Sequence, residues 1–292
     1  MNPATTPPPR SPHNPPPTSP RFDLDGRVAL VTGAGANGGI GHALALGLAR
    51  AGARVAIADI DAEGLAQTAR ELAGELAPGS PAPLARVTDI ADAAAVEALF
   101  DAIDDDIGRL DILVNVPFAF PARVRPHELA AADWERMLAV NLTGYFLCCQ
   151  AALRRMLAAG QGSIINIGSN AGESALGRGA LPYGCTKAAV HQMTRELAVE
   201  YAGAGIRVNA ILPAQTLTPG LRAHLETPRF RDHVLPRILA GLPQGRLLDP
   251  EDYVGPAVFL ASDAARAVNG VLLPADGGNL AMNAGGSHTW PA

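Results

Sequence analysis

VTGAGANGGIG, residues 31–41, decides how this chain is read. It follows an apolar run rich in β-branched residues, RVALVT (27–32), and leads into a stretch of helical period over 40–52. Glycines at such a strand-to-helix turn let the backbone approach a pyrophosphate and offer it the free amide hydrogens of the helix's first turn. Taken alone, the motif is equally a flexible loop with no ligand. The strand before it and the helix after it favour a dinucleotide cradle. Gly33, Asn37, Gly39, Ile40 and Gly41 are its candidate contacts.

Outward from the cradle, short apolar runs alternate with longer alanine- and leucine-rich segments, the pattern of a parallel sheet wrapped by helices. The predicted strands are 27–32, 54–59, 84–88, 111–116, 163–169, 206–212 and 270–275. Most are apolar throughout, as expected of strands covered on both faces. Helices are predicted over 40–52, 61–76, 91–107, 131–159, 183–202 and 250–262, and PGSPAP (78–83) is a loop. The fold expected is a single α/β domain over 22–280, a doubly wound, seven-stranded parallel sheet flanked by helices on both faces. Residues 214–249, with several prolines and the charged RAHLETPRFRDH, fit no tight unit and are read as a substrate-binding loop insertion.

Both ends differ from this body. Residues 1–21 are proline-rich and nearly devoid of apolar side chains, so they read as a disordered tail with no signal-peptide core. Residues 281–292 form a C-terminal tail carrying His288 and Trp290, expected to pack over a subunit interface or a neighbouring pocket.

The 292 residues are 48% hydrophobic, enough for a full core. A net charge of −5 with scattered Lys and Arg leaves no positive face for a nucleic acid. Residues 28–49 are free of formal charge, but crowded glycines with Thr32, Asn37 and His42 argue against a membrane span. Three cysteines, two of them adjacent, make no disulfide framework and suit a reducing compartment, the cytoplasm by default. No Cys/His/Asp spacing matches a metal site.

Eighteen residues past Gly41 the second strand ends at Asp59, followed by Ile60. A carboxylate there accepts hydrogen bonds from the adenosine ribose hydroxyls and repels a 2′-phosphate, which favours NAD over NADP. The competing role, capping the next helix, suits Asp61 better. Asp89 and Ile90, after the third strand, suit the adenine, and Asp89 serves equally well as a helix cap.

In YGCTK (183–187) a tyrosine and a lysine stand four apart on a predicted helix and so share a face. A free phenol has a pKa of about 10, and bringing it to about 7 takes roughly 4 kcal/mol of preferential stabilisation of the phenolate. A nearby ammonium in a partly dry site is a means of supplying it, which makes Tyr183 a candidate general base.

Together these motifs resemble the short-chain dehydrogenase/reductase family, over about Gly26 to Gly278. In that family a serine on the strand before the Tyr-x-x-x-Lys helix binds the reacting oxygen, which implies Ser169 in NIGSNAG. Asn141 in VNLTG matches the helix asparagine that holds a water beside the lysine. RVNAILPAQTLT (207–218) looks like the family's nicotinamide-supporting turn, implying Pro213, Ala214, Thr216 and Thr218 as cofactor contacts. The close, GRLLDPEDYVGPAVFLASDAARAVNGVLLPADGG (245–278), is similar to the family's last helix and strand.

Three departures stand out. The glycine motif is two residues longer than the family's, so Gly33, Ile40 and Gly41 are better placed for phosphate than Gly35 or Gly38. The usual NNAG is NVPF (115–118) here: Asn115 and Val116 keep cofactor-contacting positions, while Pro117 and Phe118 reshape the wall near the nicotinamide ribose. Ser169 and Tyr183 are fourteen apart, one more than is common, and the family's Pro-Gly is Pro213-Ala214.

The resemblance implies reversible hydride transfer between NAD and a secondary alcohol or its ketone. Tyr183 is the base, Ser169 holds the oxygen, Lys187 lowers the phenol pKa and binds the nicotinamide ribose, and Asn141 relays the proton. Glu173 and Gln215, with Ser169 and Tyr183, are candidate substrate contacts, and these polar groups suit a sugar or polyol. Reduction of a cyclic or 3-oxoacyl-type ketone is the alternative, as is a dinucleotide-binding protein without turnover. The family also implies a homotetramer built on the two long helices, with a dimer left open.

Overall fold

All seven apolar runs become strands of one parallel sheet: β1 (Val28–Thr32), β2 (Arg54–Asp59), β3 (Leu84–Val87), β4 (Ile112–Asn115), β5 (Gly162–Ile167), β6 (Ile206–Pro213) and β7 (Leu272–Ala275). The strand order is β3-β2-β1-β4-β5-β6-β7. The chain winds outward from β1 in one direction to β3, then returns to β4 on the other side, which makes β1/β4 the point where a doubly wound sheet opens a crevice at its carboxyl edge. The computed structural model describes residues 21–76, 81–120 and 124–282. The two tails, except for 21 and 281–282, and part of the 78–83 loop lie outside these residues.

Between the strands run α1 (Ile40–Arg50), α2 (Ala62–Glu75), α3 (Ala93–Asp106), α4 (Ala131–Leu138), α5 (Gly144–Ala159) and α6 (Leu181–Tyr201). One face of the sheet packs against α1 and α2 through Leu44, Leu48, Leu65 and Leu72, together with Tyr253 and Leu260 from near the C-terminus. The other face packs against α3, α5 and α6 through Phe100, Ile103, Tyr145, Leu153 and Val190. Coverage of both faces explains why the central strands alternate so little. The edges do not share it: β3 is only partly covered, and Val87 is 61% exposed.

Helix starts follow side-chain chemistry. Asp61 caps α2 by accepting from the amides of Glu63 and Gly64, and Asp92 caps α3 through Ala94 and Ala95. That Asp61 takes the cap leaves the Asp59 carboxylate for other work. The expected 131–159 helix is interrupted at Ala139–Thr143 by a π-turn, which joins α4 to α5 and sets Asn141 at the wide turn.

Residues 214–249, expected as a loop, hold three short helices: α7 (Pro219–Leu225), α8 (Pro228–His233) and α9 (Leu235–Leu239). Each carries a proline in its first turn. Prolines that read as helix breakers here occupy the one turn whose amides have no helical partner, and so begin helices instead. After them, a 3₁₀ turn at Pro250–Tyr253 leads into α10 (Val254–Ala261).

Across the middle of the sheet runs a row of polar side chains. Thr32 Oγ1 donates to Asn115 Oδ1 (3.3 Å), Asn115 Nδ2 to Asn166 Oδ1 (3.0 Å), and Asn166 Nδ2 to Thr194 Oγ1 on α6 (3.0 Å). All four are fully buried. Thr32, Asn115 and Asn166 occupy matching positions on β1, β4 and β5.

Candidate active site

A cleft of about 760 Å³ lies over the carboxyl ends of the strands. At one end Gly33, Gly39, Ile40 and Gly41 line it. Gly33 has φ of +76°, and a Cβ there would come within 2.8 Å of the Pro117 nitrogen; a Cβ on Gly41 would fall 2.1 Å from the Gly33 carbonyl oxygen. Any side chain at either position would therefore disrupt the turn. No side chain caps α1 and its first turn has no acidic residue. The amides and positive end of its dipole stay available to an anion at the cleft, as a dinucleotide's pyrophosphate requires.

Asp59 and Ile60 line the same end, with Asp89 and Ile90 opposite. The Asp59 carboxylate is held on both oxygens, Oδ2 by the Gly35 amide (2.7 Å) and Oδ1 by the Asp61 amide (3.0 Å). Its negative charge is fixed at this end of the cleft. Gly35 thus serves Asp59 rather than lining the cleft, and neither Gly38 nor Asn37 lines it. Asn37 Oδ1 instead accepts from the Thr68 hydroxyl (3.1 Å). Asp89 lines the cleft while its own Oδ1 accepts from the Ala91 amide (2.9 Å); the cap of α3 that it was expected to serve belongs to Asp92 instead.

At the other end Ser169, Tyr183 and Lys187 meet. Ser169 lies two residues past the end of β5; its Oγ accepts from the Ala171 amide (3.1 Å), which leaves its own proton to donate. Lys187 is 1% exposed, and its Nζ donates to the Ile167 carbonyl (2.8 Å) and to Tyr145 Oη (3.2 Å). It lies 4.7 Å from the Tyr145 ring centroid and 5.9 Å from that of Tyr183. Burial brings the Lys187 ammonium down to about 7. Burial also pushes the Tyr183 phenol above its usual value, with a hydrogen bond from Ser169 pulling the other way. This corrects the expectation that the lysine by itself depresses the phenol: desolvation of the phenolate outweighs an ammonium engaged with two other oxygens.

Asn141 is fully buried, with both polar atoms of its side chain engaged by the loop after β4. Oδ1 accepts from the Ala119 amide (2.7 Å) and Nδ2 donates to the Ala119 carbonyl (2.9 Å). The π-turn thus splices a helix to an irregular strand extension. Val116, Pro117 and Phe118 from that extension line the cleft, whereas the Asn115 side chain lies beneath it in the polar row. Pro213, Ala214, Thr216 and Thr218 close the far wall; the Thr216 hydroxyl is bonded to Tyr253 Oη at 2.6 Å.

The expected substrate contacts divide. Ser169 and Tyr183 are in the cleft, but Glu173 and Gln215 are not among its lining residues. Glu173 is 2.8 Å from His191 Nδ1, and a carboxylate with so close a partner is drawn away from the cleft. Gln215 is half-buried, with its carbonyl accepting from the Leu248 amide. Aromatic rings stand beside Tyr183 instead, Phe118 from the cleft lining and Phe120 from outside it. The Phe120 and Phe118 rings stand 4.9 and 6.3 Å from the Tyr183 ring, centroid to centroid.

Two residues absent from the sequence expectations enter the site, Tyr145 and His191. Each lies four positions after an expected one, Tyr145 after Asn141 and His191 after Lys187. Extending each helical stripe by one turn would have found them.

Comparisons agree with this geometry. A family model described as Enoyl-(Acyl carrier protein) reductase matches residues 33–279. D-threitol dehydrogenase from Mycolicibacterium smegmatis is 43% identical over 258 residues, 88% of this chain and 94% of that protein. Cis-4-hydroxycyclohexanecarboxylate dehydrogenase from Sinomonas cyclohexanicum is 42% identical, over 88% of this chain and 97% of that protein. Among solved structures, a gluconate 5-dehydrogenase from Burkholderia cenocepacia in complex with NADP and tartrate superposes with a TM-score of 0.81 at 38% identity, covering 90% of this chain and 99% of that one. The glycine cradle, the Ser169–Tyr183–Lys187 cluster and these likenesses converge: the chain belongs to the short-chain dehydrogenase/reductase family of Rossmann-fold oxidoreductases.

Proposed function

We propose that the protein interconverts a small polyhydroxylated secondary alcohol and its ketone, using NAD. The observation that carries this reading is the meeting of Ser169, Tyr183 and Lys187 at the floor of a cleft whose other end is a glycine cradle. A bound nicotinamide supplies the hydride acceptor for oxidation and the donor for reduction. Ser169 donates its hydroxyl proton to the reacting oxygen, and Tyr183 takes the alcohol proton. Lys187, buried behind Tyr183, stabilises negative charge as it develops on the phenol. Its hydrogen bonds to Ile167 and Tyr145 hold the ammonium in place for that work. Asn141 keeps the cleft wall at Ala119 in register with α6. Holding the alcohol carbon in line is worth about 7–11 kcal/mol in favourable cases, and general base catalysis adds roughly 10²–10⁴ in rate.

NAD is favoured over NADP because the Asp59 carboxylate, pinned by two amides, repels a 2′-phosphate. The relatives' names divide the substrate question. D-threitol dehydrogenase points to acyclic polyols, and the cyclohexanecarboxylate enzyme to ring alcohols. Phe118 in the cleft wall suits a ring as a second reading. Assembly as a tetramer draws support from apolar side chains exposed on the long helices, Phe146 and Leu157 on α5 and Val199 on α6. Free thiols at Cys148, Cys149 and Cys185 are in keeping with the cytoplasm. The test is a panel of acyclic polyols, aldonic acids and cyclic alcohols with NAD and NADP, followed by absorbance of the reduced cofactor. Turnover of polyols with NAD supports the reading; ring alcohols alone support the second; no turnover of any member sinks both.

A further inference from the structure

Ser169 is held from behind by a chain of groups that ends in a carboxylate. Its backbone N–H donates to His191 Nε2 at 3.3 Å, and His191 Nδ1 is 2.8 Å from Glu173 Oε1. The imidazole is 1% exposed and the carboxylate 36% exposed. The slot is cut for this ring: a Cβ on Gly168 would come 2.5 Å from Nε2, and one on Gly172 would come 2.4 Å from Cε1. Both glycines flank the turn that carries Ser169, so the ring takes the space two side chains would fill.

The chemistry of the ends fixes the proton in the middle. A backbone N–H only donates and a carboxylate only accepts. His191 is therefore neutral with its proton on Nδ1. Protonation would set a second N–H donor against the Ser169 N–H. The remaining main-chain contact of Ser169 is local, its carbonyl accepting from the Gly172 amide (2.9 Å), while its Oγ accepts from Ala171 and shares a hydrogen bond with Tyr183. Among the described residues, His191 is the hydrogen-bonded tie from this serine's main chain to α6, the helix that carries Tyr183 and Lys187.

We propose that the Glu173–His191 pair is a buried relay that fixes the main chain of Ser169, making His191 a positioning residue for the reaction. This rests on the reading of Ser169 as the group that holds the reacting oxygen. It accounts for Glu173 being close to the active site in sequence and outside the cleft in space. It also adds an acid-side control. The charged groups facing the ring are Glu173 from the turn after β5 and Lys187 and Arg195 from its own helix; β6 brings the apolar Leu212 to the neighbouring Gly168. Burial holds the imidazolium below its usual pKa, with Glu173 opposing and the two cations assisting. The relay thus stays intact at neutral pH and breaks in acid.

The test compares His191→Leu, which removes the acceptor, with His191→Gln, whose side-chain oxygen reaches the Nε2 position. Rates are read in the direction of ketone reduction, where the protonated Tyr183 and Lys187 contribute no acid limb. His191→Leu should lower kcat about 30-fold while the Kd for NADH, read by fluorescence, moves less than twofold. His191→Gln should keep kcat within threefold of wild type and lose the acid limb of the pH profile. Nitrogen NMR of the wild-type protein without substrate should show the Nδ1–H tautomer at His191. Equal losses in both variants, full activity in His191→Leu, a retained acid limb in His191→Gln, or the opposite tautomer would each overturn the relay. The NMR result stands even if no alcohol is turned over and even if His191→Leu fails to fold, so loss of the functional reading and loss of the relay remain separate outcomes.

Discussion

The two ends of the cleft are built by different means. Around β1, β2 and α1 the site is mostly main chain: glycines that admit no side chain, amides at a helix start, and one carboxylate pinned by two amides. Beyond β4 it is mostly side chains, brought from β5, the π-turn, α5 and α6. A backbone-made site depends on which residues can adopt the turn, and a side-chain-made site depends on which elements meet. The first tolerates almost no local change, whereas the second tolerates change only if its partners follow.

Four substitutions would break or sharpen that contrast. The largest effect belongs to the side-chain end: Tyr183→Phe should lower kcat on the order of a thousandfold by removing the base, with NADH affinity unchanged in a fluorescence titration. Equal kcat in the two proteins would move catalysis elsewhere. At the main-chain end, Gly41→Val sets a side chain against the Gly33 carbonyl. Overpacking of about 1–3 kcal/mol corresponds to roughly 5–150-fold weaker NAD binding by calorimetry; unimpaired binding would show that the cradle is not where the pyrophosphate lies. Asp59→Ser removes the fixed charge and should raise the NADP/NAD ratio of kcat/KM about tenfold, which is about 1.4 kcal/mol of repulsion. No shift would mean the ribose phosphate does not approach β2. The smallest change is expected for Tyr145→Phe. Losing one hydrogen bond to Lys187 should cost about 1 kcal/mol, a fivefold drop in kcat, and a normal rate would mean that the Ile167 carbonyl suffices.

The same contrast explains what could be read from the chain itself. Seven strands and the helices between them followed from alternation of apolar runs, because a sheet covered on both faces leaves little room for other patterns. Gly33, Ile40, Gly41 and Asp59 were legible as cleft residues since their places follow from neighbours in sequence. Asp61 as a cap was legible for the same reason. Glu173 was misread, because its nearness to Ser169 along the chain says nothing of His191, eighteen residues on, which claims its carboxylate. The lysine's effect on Tyr183 was overstated because spacing gives a shared helix face, not the burial that sets the phenol. Helices α7–α9 were hidden by prolines whose helix-starting role depends on where the turn falls. Phe118 and Phe120 appear over Tyr183 only when a loop from the middle of the chain folds across α6.

The buried line of Thr32, Asn115, Asn166 and Thr194 works like the teeth of a key. Sliding β4 past β1 or β5 by a single residue would leave amide groups stranded in hydrocarbon, at about 1–3 kcal/mol for each lost partner. Misaligned pairings are thereby penalised during folding, and the strand ends that carry the cleft arrive at one common height.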